Sequence, residues 1–401
     1  MAAASSLKRA YLDYNATAPL RPEARAAALM AMEASGNPSS VHAEGRAARR
    51  IVEDARSEVA GLAGVSSRCV TFVSGGAEAA NTALNPMFGG GRNAEPLERL
   101  IVSAGEHPCV LSGHRFPTAE IAPLLPDGRV DLDWLEAACR RSGRALVALQ
   151  GANNETGVLQ PVAEAAALVH AAGGFLVCDA VQIAGRMACD VAALGADALI
   201  LSAHKMGGLK GAGAVVTARP EMSLGAPLIR GGGQERGARA GTESVATIAA
   251  FGAAARACLA EAAAEPARLA ALRDRLTIAV RSVAADAMVF SETAPRLPNT
   301  VCFAIPGVEA ATLMIALDLA GVAASSGSAC SSGKVAPSHV LAAMGVRPEL
   351  ARGAIRLSLG WASTEADVAR FAEAFAGVMA RMGAARRGAG AALAVEGQAA
   401  T

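Results

Sequence analysis

The thiol of Cys330 is the side chain in this sequence whose surroundings most clearly point to chemistry. It lies in the run Ser326-Gly327-Ser328-Ala329-Cys330-Ser331-Ser332, whereas a buried structural cysteine normally has apolar neighbours. We therefore expect Cys330 to be exposed, mobile and reactive as a nucleophile. The other seven cysteines, mostly in apolar segments, are predicted to be small buried residues, and the absence of a CxxC pair argues against a zinc site or a disulfide framework.

A lysine after an apolar run provides a second reactive group. The run ends in Ser202-Ala203-His204-Lys205. An amine at the end of a buried strand is partly desolvated, which lowers its pKa and favours a covalent bond to an aldehyde. Ser202 and His204 are then within reach of a phosphate. The alternative is an ordinary solvated lysine.

Polar residues follow three further apolar runs. Small residues in Ser74-Gly75-Gly76-Ala77-Glu78 suit a phosphate at a helix N-terminus. Asp179 ends the run Phe175–Asp179, and a buried carboxylate there requires a cation such as a protonated pyridine nitrogen. Asn154 is placed to hydrogen-bond a phenolic oxygen. Taken singly, these signals also fit a plain turn or a helix cap. In this order, with Gln182 three residues after Asp179, they make up the parts of a pyridoxal phosphate site.

The elements that position these residues are predicted to form an α/β fold. Apolar runs without alternation indicate strands that are buried on both faces, as in a parallel sheet. The predicted strands are Cys69–Val73, Leu100–Ser103, Ala145–Gln150, Phe175–Asp179, Ala198–Ser202 and Ala214–Thr217. Helices are predicted at Glu44–Leu62 and Glu261–Val283, and a final helix at Ser363–Met382. We predict a large domain over 16–260, a smaller α+β domain from 1–15 and 261–382, and a disordered tail over 383–401.

Composition excludes several classes of function. Lysine and arginine exceed aspartate and glutamate by 37 − 36 = +1, which gives no electrostatic reason to bind nucleic acid or an anionic membrane. No apolar run reaches the roughly 18 residues of a membrane span. The N-terminus lacks the apolar core of a signal peptide, so a cytoplasmic location is expected.

The ordered motifs resemble the cysteine desulfurases of the NifS/IscS type, in the class V aminotransferase group of fold-type I pyridoxal-phosphate enzymes. The resemblance covers roughly residues 10–375. It is carried by Tyr11–Pro19, Gly36–His42, Ser74–Glu78, Glu106-His107, Asn153–Glu155, Asp179–Gln182, Ser202–Lys205, Gly231–Gly237, Arg239–Thr242, Ser325–Cys330 and Ala354–Arg356. It implies a large domain with a mainly parallel seven-stranded sheet between helices, plus the smaller domain.

The resemblance also implies roles. Lys205 would bind pyridoxal phosphate covalently, His107 would stack on the ring and move protons, and Asp179 would pair with the ring nitrogen. Cys330 would be the nucleophile that takes sulfur from L-cysteine, with a capacity to ligate an iron–sulfur cluster transiently; no structural metal is implied. Asn154 and Gln182 would bind the phenolic oxygen of the cofactor. Its phosphate would be held by Gly76, Ala77, Ser202, His204 and the partner subunit's Thr242. Arg356 and Asn37 would bind the substrate.

The implied partners are a second copy of the chain and a protein that accepts sulfur, such as an iron–sulfur scaffold serving nitrogenase or general use, or a relay towards RNA thiolation. One departure from the family is Ala77, where a threonine hydroxyl is common, so we expect weaker retention of the cofactor. Three alternatives remain open: a selenocysteine lyase or related β-elimination or transamination enzyme, a scaffold without catalysis, and a thiol redox sensor built on Cys330.

Overall fold

The computed structural model describes residues 9–90, 95–327 and 338–398, with side chains up to 383. The helices are α1 (Pro22–Met32), α2 (Ala43–Leu62), α3 (Gly76–Ala83), α4 (Pro108–Leu111), α5 (Leu132–Cys139), α6 (Val162–Ala171), α7 (Val191–Leu194), α8 (Val245–Glu261), α9 (Glu265–Val283), α10 (Ala310–Leu319), α11 (His339–Ala343), α12 (Pro348–Arg352) and α13 (Glu365–Gln398). The strands are β1 (Ala10–Tyr11), β2 (Val70–Val73), β3 (Arg99–Ser103), β4 (Glu120–Ala122), β5 (Ala145–Gln150), β6 (Phe175–Asp179), β7 (Ala198–Ser202), β8 (Gly213–Thr217), β9 (Met288–Val289), β10 (Thr300–Ala304), β11 (Val322–Ala323), β12 (Ser325–Ser326) and β13 (Ile355–Ser358).

The larger sheet has seven strands in the order β2-β8-β7-β6-β5-β3-β4. The pairs from β7 through β4 are parallel, while β8 runs antiparallel to both β7 and β2. The predicted, mainly parallel seven-stranded sheet is therefore confirmed. The sequence analysis identified six of its strands and missed β4, a three-residue edge strand with an exposed isoleucine and no continuous apolar run.

Both faces of this sheet are buried, as the unbroken apolar runs predicted. Alternate residues of one strand enter different cores: Val147 packs on the side of α2, α6 and α8, and Leu146 on the side of α3. This period of two follows from the alternation of side chains along a strand. Helices on both faces therefore hold the carboxyl ends of the parallel strands in one fixed plane.

A second sheet, in the order β12-β13-β10-β9, carries the C-terminal elements, and β1 pairs with β11 in a separate two-stranded ladder. The core beside this second sheet is formed by residues of α9, α10, α13, β10 and β13. Ala10 and Leu12 are buried in the same core. Residues 10–12 thus lie beside the C-terminal elements, and the chain then passes to the larger sheet. The domain boundary near residue 260 stays a prediction.

Two helical predictions differ from the structure. The helix predicted over Glu261–Val283 ends at Val283 as expected but begins at Glu265, as α9, because Glu261 is instead the last residue of α8, which meets α9 at 82°. Pro266 in the first turn of α9 explains the break, because proline is favoured at a helix start and excluded from a helix interior. The final helix was predicted to end at Met382, before a disordered tail, but its backbone continues to Gln398 through an alanine-rich sequence that favours helix.

Within the described residues, no helix by itself combines the length and apolarity needed to cross a bilayer. Among these residues, α8 and α9 reach that length and apolarity only when the two bent helices are counted together.

The contact between α2 and α8 depends on a glycine. A Cβ added to Gly252 would lie 2.5 Å from the Cα of Ala55, whereas one added to Gly61 would meet Leu259 Cδ2 at an ordinary 3.8 Å. We predict that Gly252→Ala separates the two helices and costs about 1–3 kcal/mol of stability. The control Gly61→Ala should be neutral or stabilising by up to about 1 kcal/mol. Thermal unfolding followed by circular dichroism measures both, and an equal midpoint for the two variants would contradict the packing argument.

Candidate functional site

A cavity of about 490 Å³ lies at the carboxyl ends of the parallel strands, where open α/β sheets bind ligands. Elements from across the larger sheet contribute to it: the turns after β2, β3, β5, β6 and β7, and the start of β8. Its lining residues are Ser74, Gly75, Gly76, Ala77, Glu78, His107, Cys109, Gln150, Ala152, Asn154, Asp179, Val181, Gln182, Ser202, His204, Lys205, Lys210, Gly211 and Ala212. Nine of the predicted site residues therefore come together in one cavity.

One end of the cavity is built for an anion. Helix α3 starts at Gly76 directly after the turn that follows β2, and its first backbone N–H groups have no partner within the helix. Ser202 lies beside this start, since a Cβ on Gly76 would be 3.6 Å from the Ser202 Cβ. The amides of Gly76 and Ala77 and the hydroxyl of Ser202 thus surround a position suited to a phosphate.

Two further residues line this cavity near its anion-binding end. His204 hydrogen-bonds Thr17 Oγ1 through Nδ1 at 3.1 Å, and burial together with Lys205 and Lys210 lowers its pKa to about 4, so it is neutral at pH 7. Lys210, two residues after Gly208, was not singled out from the sequence. Its ammonium adds a cation to the cavity in a chain where Ala77 supplies no hydroxyl.

Asp179 is the last residue of β6 and lines the cavity. It is buried and accepts a hydrogen bond from the Val181 N–H at 2.9 Å. Burial raises the pKa of its carboxyl to about 6, against the opposing effects of that hydrogen bond and Lys205. A cation placed against Asp179 would remove much of this penalty. Gln182 lies alongside, and its buried Oε1 has no hydrogen-bond partner in the described part of the chain.

The side chain of Lys205 is held by Asn15, a residue that lies outside the larger sheet. Its Nζ donates to the backbone oxygen of Asn15 at 2.6 Å, and Gln182 Nε2 donates to the same oxygen at 3.1 Å. Asn15 belongs to the motif Tyr11–Pro19, but its residue type alone indicates no role in the cavity. A backbone carbonyl leaves no residue-type signal, so this partner could be found only from the structure.

His107 caps helix α4, and its Nδ1 accepts a hydrogen bond from the Cys109 N–H at 3.1 Å. Burial, then Lys205 and His339, lower the His107 pKa to about 4. The imidazole is therefore neutral at pH 7, with its proton on Nε2. The preceding residue, Glu106, is fully buried. Burial and the nearby Asp179 raise its pKa well above the ordinary range.

The structure places three predicted site residues outside the cavity. Arg356 is buried under it, with Nη2 on Asp13 at 2.7 Å and Nη1 on the Asn154 backbone oxygen at 3.0 Å. Asn37 is exposed in the turn before α2, where its Oδ1 accepts from the Ser39 N–H. Thr242 lines a separate cavity of about 200 Å³. Cys330 lies outside the described residues.

Across residues 9–90, 95–327 and 338–398, no cluster of three or more His, Cys, Asp or Glu side chains has the arrangement of a metal site.

Comparison with known proteins matches this architecture. The family model described as Aminotransferase class-V covers residues 10–371. An IscS-like cysteine desulfurase of Mycobacterium tuberculosis is 39% identical over 381 residues, which is 93% of this chain and 96% of that protein. A cysteine desulfurase of Cereibacter sphaeroides is 41% identical over 377 residues, 92% and 95% of the two chains. The X-ray structure of a NifS-like protein from Rickettsia africae superposes with a TM-score of 0.83 at 32% identity, over 92% and 99% of the two chains.

The fold and the matched length place the chain in the class V aminotransferase family. Its relatives at 39% and 41% identity carry the name cysteine desulfurase, so the resemblance inferred from the sequence is confirmed.

The electrostatics of the cavity predict how its two histidines titrate. Lys205→Met should raise the pKa of His107 from about 4 towards the ordinary 6.5, because it removes the second-largest cause of the shift. Lys210→Met should raise the pKa of His204 and leave that of His107 unchanged, because the charge of Lys210 lowers the pKa of His204 but does not contribute to the shift of His107. NMR titration of protein with ¹³C-labelled histidine, assigned with His107→Gln and His204→Gln, measures both. A His107 pKa near 6.5 in the unsubstituted protein would refute its neutral state.

Proposed function

We propose that this chain is a pyridoxal-phosphate-dependent cysteine desulfurase, which converts L-cysteine to L-alanine and leaves the sulfur as a persulfide on Cys330. The observation that carries the proposal is the meeting of Lys205, Asp179 and the start of α3 in one cavity. A lysine, a buried carboxyl and an anion-binding helix end match the aldehyde, the ring nitrogen and the phosphate of this cofactor.

The residues present fit the cofactor. Gly76, Ala77, Ser202 and His204 would hold the phosphate, with Lys210 as an added cation. Asp179, whose buried carboxyl forms no ion pair of hydrogen-bond length within the described residues, would face the ring nitrogen. Asn154 and Gln182 would lie at the phenolic oxygen, and the Oε1 of Gln182, which has no hydrogen-bond partner among the described residues, would accept a hydrogen bond from the phenolic hydroxyl.

When bound, pyridoxal phosphate would draw electrons from the substrate carbon attached to the amino group. The chain itself would then move protons and sulfur. Lys205 would take the proton from that carbon, and neutral His107 would exchange a proton within the cavity through Nε2. The Cys330 thiolate would form an S–S bond to the substrate sulfur while the carbon–sulfur bond breaks. The electron pair stays with the carbon skeleton, which gains a proton at the carbon that lost sulfur, regains one at the carbon that Lys205 deprotonated, and leaves as alanine.

Arg356 is proposed to bind the substrate carboxylate. Its guanidinium is almost completely buried, and its Nε has no hydrogen-bond partner in the described part of the chain. One N–H is therefore available although Asp13 and Asn154 engage the other two nitrogens. The role given to Asn37 stays a prediction, because its side-chain oxygen is used in a local turn.

The wider setting is also proposed. Two copies of the chain would form a homodimer in which Thr242 of each reaches the phosphate of the other. This would explain why an exposed threonine lies in a separate cavity of its own chain. The sulfur acceptor would be an iron–sulfur assembly protein, in line with the IscS-like and NifS-like names of the relatives. The cytoplasmic location, a role in nitrogen fixation and the absence of direct nucleic-acid contact stay predictions.

The test is anaerobic incubation of the pyridoxal-phosphate-loaded protein with L-cysteine, with alanine and sulfide as products. The unsubstituted protein should form both, and Cys330→Ala should keep the bound cofactor but lose both products by at least about 100-fold, because no other group takes the sulfur. Cys109→Ala, another thiol in the cavity, is the matched control and should retain turnover.

Lys205→Ala should lose the visible absorption of the lysine-bound cofactor. Normal sulfide release from Cys330→Ala would refute the nucleophile. No turnover by the unsubstituted, cofactor-loaded protein would refute cysteine as substrate and favour selenocysteine.

A further inference from the structure

The anion-binding end of the cavity contains a carboxylate, which a phosphate should disfavour. Glu78 lines the cavity beside Gly76 and Ala77, in the first turn of α3, and its side chain is only 9% exposed. Like charges repel each other strongly where little water separates them. An uncompensated Glu78 would therefore oppose the binding of a phosphate at the helix start.

The start of α3 explains why an acidic residue is present. Gly75 precedes the helix and has no side chain with which to cap it. Glu78 reaches back instead, and its Oε2 accepts a hydrogen bond from the Ser74 N–H at 2.8 Å. An acidic residue at the third helical position commonly closes a helix start in this way, and the helix dipole favours its charge. Glu78 thus stabilises the turn whose amides face the cavity.

The other oxygen of the same carboxylate is paired with Arg239. The Arg239 Nε donates to Glu78 Oε1 at 3.0 Å, and the Arg239 side chain is 24% exposed. Burial by itself would raise the pKa of Glu78, but the hydrogen bonds from Arg239 and Ser74 and the charge of Arg239 outweigh it and lower the pKa. Glu78 is therefore ionised at pH 7, and Arg239 balances its charge.

Arg239 reaches Glu78 from outside the larger cavity. It lines the cavity of about 200 Å³ that also contains Thr242, whereas Glu78 lines the larger one. Ser74 and Gly211 line both cavities, so the ion pair lies at the wall between them. This placement suits a residue that neutralises Glu78, because the guanidinium approaches the carboxylate from the side away from the proposed phosphate position.

We propose that Arg239 is a positioning residue that holds Glu78 at the start of α3 and cancels its charge, so that the cavity accepts the phosphate of the cofactor. The inference rests on the proposed function, since the phosphate belongs to pyridoxal phosphate. Arg239 acts through Glu78. Its removal alone leaves the carboxylate facing the phosphate, whereas the removal of both charges leaves that wall of the cavity neutral.

The test measures the affinity of the cofactor-free, full-length protein for pyridoxal phosphate and for pyridoxal, which has the same aldehyde and ring but no phosphate. The visible absorption of the lysine-bound aldehyde follows binding. Arg239→Met should weaken the binding of pyridoxal phosphate at least about 10-fold, because an unbalanced carboxylate repels a dianion. The affinity of this variant for pyridoxal should stay within about 3-fold, because pyridoxal has no phosphate to repel.

Substitution of Glu78 should reverse the effect. Glu78→Gln removes the charge and keeps an oxygen that can accept from Ser74, so it should bind pyridoxal phosphate at least as tightly as the unsubstituted protein. The double variant Glu78→Gln with Arg239→Met should return to within about 3-fold of that affinity, because the two residues form one interaction. Arg239→Lys keeps the charge and should lose less than Arg239→Met. The matched control is Arg256→Met, from an exposed pair with Glu58 at 3.0 Å, and should bind normally.

A double variant as weak as Arg239→Met would overturn the proposal, because Arg239 would then bind the phosphate itself. Equal weakening of pyridoxal and pyridoxal phosphate in Arg239→Met would also overturn it and assign the loss to a disturbed fold. If Arg239→Met does not fold, Glu78→Gln decides, and a loss of affinity for pyridoxal phosphate beyond about 3-fold would contradict the charge argument.

The proposed function is tested separately from this charge balance. Normal binding of pyridoxal phosphate without alanine formation from L-cysteine would refute the desulfurase function alone. No binding of pyridoxal phosphate by the unsubstituted protein would refute both.

Discussion

The burial of two carboxyl groups at the carboxyl edge of the larger sheet constrains the rest of the site. Asp179 and Glu106 are both removed from water and lie close enough to raise the pKa of Glu106 by repulsion. Two such charges cannot both be stable in a medium of low polarity. The structure responds with backbone donors, the N–H of Val181 to Asp179 and the N–H of Gln150 to Glu106, and with Lys205 nearby. A protonated pyridine ring against Asp179 would add a second cation to that of Lys205 and lower the cost of this burial further.

The position of Lys205 depends on a distant part of the chain. Asn15 accepts from Lys205 and Gln182 with its backbone oxygen. Its side chain donates to Thr300 at 2.9 Å and accepts from Asn299 at 3.1 Å, and its N–H donates to Ser358. One buried asparagine thus joins the cavity of the larger sheet to β10 and β13 of the smaller sheet. Arg356 on β13 reaches the same region by donating to the backbone oxygen of Asn154, so the smaller sheet also supports the wall of the cavity.

Sequence patterns predicted those parts of the structure that depend on residue type and local order. Buried strands such as Ala145–Gln150 have continuous apolar runs, and the chemistry of Lys205 and Asp179 follows from where each run ends. The short edge strand β4 has no such run, and the break before α9 required weighing Pro266 against helical periodicity. Contacts between distant segments, such as Lys205 with the Asn15 carbonyl or Glu78 with Arg239, depend on tertiary packing and leave no local signal. Family resemblance named Arg356, but only packing reveals its pairing with Asp13.

The pairing of buried Asp179 with a cationic ring is tested most directly by the affinity of the cofactor-free protein for pyridoxal phosphate as a function of pH. The carboxyl pKa of about 6 should fall when the cation binds, so affinity should be greatest above pH 6 and decrease as pH falls through 6, by up to about tenfold per unit. Asp179→Asn should bind at least about 10-fold more weakly at pH 8, and the ratio of the two affinities should shrink as the pH is lowered. Equal affinities at pH 8, or a ratio that does not change between pH 8 and 5, would contradict the pairing.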